Sequence, residues 1–71
     1  MEAKMTESRA YKSMFTEYPD VVGVDELCKM LGGISKKLAY QMLQKNEIVH
    51  LKIGRTYKIP KISIIRFLVN F

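Results

Sequence analysis

Acidic residues are scarce over most of this chain. From Cys28 to Phe71 only Glu47 opposes Lys29, Lys36, Lys37, Lys45, Lys52, Arg55, Lys58, Lys61 and Arg66, a local net charge of +8. Residues 1–27 carry six acids against three bases, so the formal +5 of the whole chain hides a basic module behind an acidic lead-in. Cysteine is reduced to Cys28, which excludes an internal disulfide and fits a reducing cytosol. With His50 as the one histidine, a structural zinc site lacks soft ligands, and neither metal nor any other cofactor is expected. No apolar run approaches the ~18 residues of a membrane span, and no signal-peptide core is present, so the expected location is the cytoplasm, away from the membrane. Also missing are a glycine-rich phosphate loop, a Ser or Cys nucleophile with a His partner, and a metal-grade carboxylate cluster. The chain is not read as an enzyme.

What is present is a basic field on a small domain. Phosphate backbones are drawn to such a field, because each neutralised phosphate releases condensed counterions. Seventy-one residues make one domain, and its net stability is expected to be marginal. Residues 1–17 are polar and mixed in charge, without strong periodicity, and read as a flexible segment or frayed helix. Tyr18-Pro19-Asp20 opens the folded domain, residues 18–71, with Val21 and Val22 as its first core anchors.

A short helix follows from about Val24 to Leu31. Asp25 and Glu26 suit its positive end, Leu27, Met30 and Leu31 form its apolar face, and Gly32-Gly33 ends it. Cys28 packs near that face. Ser35 is a good N-cap for a second helix running from Lys36 to about Lys45 and closed by Asn46. On a helical wheel Lys36, Lys37, Tyr40, Gln41 and Gln44 share an arc of about 140°, while Leu38, Ala39, Met42 and Leu43 take the other side. Two helices joined by a tight glycine-containing turn, the second with a polar face, make a helix-turn-helix.

The period then changes to two. Val49, Leu51 and Ile53 alternate with Ile48, His50 and Lys52, and Tyr57 and Ile59 alternate with Lys58 around a turn at Gly54-Arg55-Thr56. This predicts a hairpin with Val49, Leu51 and Ile53 turned inward, and His50, Lys52, Arg55 and Lys58 outward or at the tip. Pro60 ends the hairpin, and Lys61 to about Asn70 reads as a closing helix. The fold expected is α+β, a small winged helix-turn-helix with a two-stranded wing and a C-terminal helix.

In such a fold the second helix enters the major groove of double-stranded DNA and the wing grips an adjacent groove or the backbone. Lys36 and Lys37 suit phosphates or guanine edges, and Tyr40, Gln41 and Gln44 suit base reading, since glutamine pairs bidentately with adenine. Lys52, Arg55 and Lys58 supply wing contacts, with Arg55 at the tip suited to a narrow minor groove. His50 stands between a sheet-surface residue and a phosphate contact.

Gly23-Val24-Asp25-Glu26-Leu27, Leu31-Gly32, Ser35-Lys36-Lys37, Tyr40 and Lys52-Ile53-Gly54-Arg55-Thr56-Tyr57-Lys58-Ile59-Pro60 resemble the small excisionase family of MerR-like winged-helix proteins. The Tyr-Pro-Asp, Leu-Gly-Gly-Ile-Ser-Lys-Lys and Ile-Gly-Arg-Thr-Tyr stretches are most similar to excisionases of conjugative transposons. The resemblance spans about residues 18–68. It implies a bacterial, nucleoid-associated recombination directionality factor that binds and bends DNA, so that a tyrosine integrase excises a mobile element. It places Lys36, Lys37, Tyr40, Gln41, Arg55 and Thr56 in the DNA-contacting region, and Ser35, at the start of the same helix, is expected to contact DNA with them. Gly23 departs from the family, which commonly has a Thr cap there, and residues 1–17 have no counterpart. The same domain recurs in transcriptional regulators, and a protein-interaction module for an acidic partner is a third reading.

The closing helix carries a second apolar stripe. Ile62, Ile65 and Val69 lie apart from the inward cluster of Ile64, Phe67, Leu68 and Phe71. Either the thin core or the N-terminal segment covers this stripe, or it binds the integrase or supports cooperative self-association on DNA.

Overall fold

Seven elements follow one another in the computed structural model, which describes residues 6–70: α1 (Glu7–Ser13), β1 (Val21–Val22), α2 (Val24–Met30), α3 (Lys36–Gln44), β2 (Leu51–Ile53), β3 (Thr56–Pro60) and α4 (Lys61–Val69). The architecture is that of a winged helix-turn-helix. Its sheet has three antiparallel strands in the order β1-β3-β2, so Val21-Val22 adds a short strand beyond the expected hairpin. Val22 faces the core opposite Ile59, whereas Val21, expected as a second anchor, pairs with Pro60 and stays 51% exposed.

The helices begin and end where local chemistry directs. Gly23 has no side chain to cap α2, so the Glu26 carboxylate reaches back and accepts the Gly23 N–H at 3.0 Å. Gly32 and Gly33 adopt left-handed φ of 91° and 89°, and the Gly33 and Ile34 N–H groups both return to the Cys28 carbonyl. Only Ile34 then separates Gly33 from Ser35, whose hydroxyl accepts the Leu38 N–H at 3.1 Å and starts α3. Asn46, at φ 59°, closes the far end.

The core lies between these helices and the inner face of the sheet. Leu27, Cys28 and Met30 of α2, Ala39 and Leu43 of α3, Ile48, Tyr57 and Ile59 of the wing, and Ile64 of α4 form one buried cluster with Val22. Leu38, at the rim of the apolar arc of α3, remains 44% exposed.

Helix α1 is attached to this body. Thr6 caps α1, and α1 packs against α4. Ala10 and Ile65 are both fully buried outside the main cluster. The stripe of Ile62, Ile65 and Val69 is therefore not an open surface. Ile65 is inaccessible, Val69 is half-buried, and half-buried Ile62 lines a groove with Ser8, Tyr11, Lys12 and Arg66. The wheel identified the stripe correctly but could not show that a polar, weakly periodic segment would supply a helix to cover it.

Candidate nucleic-acid interface

The wing is built on a two-residue turn, Gly54-Arg55, narrower than the three residues expected. Gly54 takes φ 63°, which glycine at the first turn position permits. This turn sets the register: Ile53 opposes Thr56, Lys52 opposes Tyr57, and Leu51 opposes Lys58. Directly opposed residues share a face, and Tyr57 and Ile59 point inward. Lys52 must therefore lie on the inner side, while Leu51 and Ile53 lie on the outer side.

That reverses the expected facing of β2. Val49, Leu51 and Ile53 are 72%, 64% and 63% exposed, whereas Ile48, placed outward by simple alternation, is buried. The strand proper starts only at Leu51, so the alternation read through residues 48–53 crosses a non-strand stretch. A one-residue change of phase moves every side chain to the opposite face. Lys52 tolerates the inner side because its ammonium sits 5.2 Å from the Tyr57 ring centre and remains exposed.

Tyr57 links the wing to α3. Its ring centre is 5.7 Å from that of Tyr40 and 5.3 Å from that of His50, whose Nδ1 lies 2.8 Å from the Ile48 carbonyl oxygen. His50 is thus half-buried against the wing's inner side and tied to its own backbone. Beside this contact a cleft of about 250 Å³ is lined by Gly23, Val24, Asp25, Lys36, Tyr40, Arg55, Thr56 and Tyr57. It brings the start of α3 to the tip of the wing, although fifteen or more residues separate them in sequence. Lys36 donates to Asp25 Oδ1 at 3.0 Å, and this bond, with the charge behind it, holds the Lys36 ammonium above the ordinary lysine range.

The other expected interface residues divide into three groups. Lys37, Gln41 and Gln44 stand exposed on α3. Ser35 is exposed but already occupied as the N-cap. Lys58 is exposed on the outer face opposite Leu51, away from the side that carries Lys52. Charge counting missed two residues. Asp25 sits in the first turn of α2, as its helix-dipole role requires, and it also lines the cleft and pairs with Lys36. Lys61 counts toward the basic charge, yet it is buried and its ammonium donates to the Phe15 and Tyr18 carbonyls at 3.2 and 3.1 Å. No local pattern distinguishes a buried lysine from a surface one.

A capped second helix, a glycine turn before it and a hairpin wing beside it agree with comparison to known families, in which the helix-turn-helix domain matches residues 21–69. The chain belongs to the helix-turn-helix domain family. This family includes excisionase-like DNA-binding proteins, and membership implies sequence-specific DNA binding. Neither the curated proteins nor the solved structures give a match. The matched span of this helix-turn-helix domain runs from β1 through α4 and leaves α1 outside it. Among the described residues no helix is long and apolar enough to cross a membrane.

Proposed function

We propose that this helix-turn-helix protein is an excisionase: a DNA-bending accessory factor that directs a tyrosine integrase to excise a mobile element. The observation that carries the reading is the cleft in which Lys36 and Tyr40 of α3 stand beside Arg55 and Thr56 of the wing tip. A duplex seated there meets the major-groove helix and the wing together, and a small domain that engages two neighbouring grooves favours bent DNA. Lys36 and Lys37 contact phosphates or guanine edges. Tyr40, Gln41 and Gln44 read bases, with Gln41 and Gln44 suited to adenine. Arg55 and Thr56 hold the adjacent backbone or minor groove with Lys52 beside them, while Lys58, on the opposite face of the wing, adds to the basic field without touching that duplex. The motif resemblance over residues 18–68 supports the excision role, and the basic charge supports a nucleoid location.

The test is an excision assay with purified integrase, the element's end sequences and this chain, together with footprinting on the same DNA. The expected result is a footprint at the ends and excision that depends on the chain. Binding without stimulation of excision would instead make it a transcriptional regulator.

A further inference from the structure

The wing leaves three large apolar side chains in water. Val49, Leu51 and Ile53 are 72%, 64% and 63% exposed at every second residue, and neither the core nor the cleft uses them. The strand order β1-β3-β2 also makes β2 the open edge of the sheet. Its backbone is arranged to accept another strand. The two-residue turn makes Ile53 and Thr56 a hydrogen-bonded pair, so at the next position, Lys52 opposite Tyr57, the Lys52 N–H and C=O are directed away from β3 toward that edge. Lys58, exposed and opposite Leu51, is the one charged side chain that β2 and β3 place on the outer face.

We propose that β2 is a docking edge for an extended segment of a partner protein, which adds as a fourth strand, lays apolar residues on Leu51 and Ile53, and reaches Lys58 with an acid. Strand addition supplies hydrogen bonds through the Lys52 backbone, and alternate side chains supply selectivity. A residue facing Leu51 from the new strand lies roughly 10 Å, two strand spacings, from the Lys58 backbone. Lysine and glutamate side chains together close that gap. A second copy does not fit this edge. Pairing of two β2 strands about Lys52 would set Lys52 against Lys52 and offer neither Lys58 an acid, between chains of formal charge +5 each. Lysines so placed turn the edge from self-pairing toward an acidic partner. Because Val49, Leu51 and Ile53 lie outside the cleft, this surface is separate from the proposed duplex contact and does not rest on it.

The experiment pans a phage library of random peptides against the full chain, with counter-selection on the double variant Leu51→Thr/Ile53→Thr. A synthetic peptide of the enriched sequence is then titrated into the wild-type chain by NMR. Enriched sequences should place apolar residues at alternate positions with an acid among them, and the peptide should shift the Lys52 N–H signal and slow its hydrogen exchange. The double variant should bind the peptide at least about tenfold more weakly, and Lys58→Ala about twofold to fivefold more weakly. Lys58→Glu should prefer the same peptide with lysine in place of its acid, an exchange that a merely structural role for Lys58 would not produce. The double variant should keep the wild-type urea midpoint and DNA affinity. No enrichment, a peptide that binds the double variant equally well, or indifference of the peptide's acid to Lys58→Glu would each overturn the proposal. So would loss of DNA affinity in the double variant, which would make this a DNA-contacting face, or a wild-type dimer in sedimentation that the double variant dissolves, which would make the occupant a second copy.

Discussion

Lys61 separates what a residue's charge suggests from what its position allows. It opens α4 with only 6% of its surface exposed, and its ammonium is held by two backbone carbonyls and lies 5.1 Å from the Tyr11 ring centre. One of those carbonyls belongs to Phe15, whose φ of 56° is unusual for a bulky residue and is held in place by this contact. Lys61→Met should therefore cost about 1.5–3 kcal/mol in urea unfolding, the range for hydrogen bonds to a charged group, and leave the DNA salt slope almost unchanged. A full unit lost from that slope would return Lys61 to the interface. Positions whose role is local were legible in the sequence: Ser35 as a cap, Gly54 as a turn residue, Leu27 and Leu43 as core. Lys61 and Asp25 were not, because their partners lie 43 to 46 and 11 residues away.

At the scale of elements, both helices of the helix-turn-helix could be read from capping and periodicity, but the facing of the wing could not. Alternation gives a strand's two faces without saying which is inner; here the turn length decides, through the register it imposes. Leu51→Thr, on the outer face, should alter stability by less than about 0.5 kcal/mol, while Ile59→Ala, on the buried face, should cost about 2–5 kcal/mol in the same denaturation experiment. Comparable losses at the two positions would show that the faces are assigned the wrong way round. Docking of α1 has its own signature. The Tyr11 hydroxyl donates to Asp20 Oδ1 at 2.6 Å, and this bond raises the phenol's pKa above its ordinary value. A raised folded-state value favours the protonated phenol. Its contribution to stability is therefore complete below about pH 10 and lost as pH rises past the folded value. Stability of the wild-type chain should fall above pH 10 more than that of Tyr11→Phe. Parallel pH profiles would mean that the bond does not hold α1.

For the whole molecule, the basic segment is sorted by the fold rather than spread over it. Lys61 goes inside, Lys36 is paired with Asp25, Lys37 stands on the α3 face, Arg55 sits at the wing tip, and Lys58 lies on the far side of the sheet. In the proposed complex α3 and the wing tip engage one duplex together. The most direct measurement is the slope of log affinity against log salt on a selected duplex for wild type, Lys37→Ala, Arg55→Ala and the double variant. The wild-type slope should be steep and negative, each single substitution should reduce it by about one unit, and the double variant by about two. A shallow wild-type slope, or a slope indifferent to either substitution, would contradict simultaneous engagement of helix and wing.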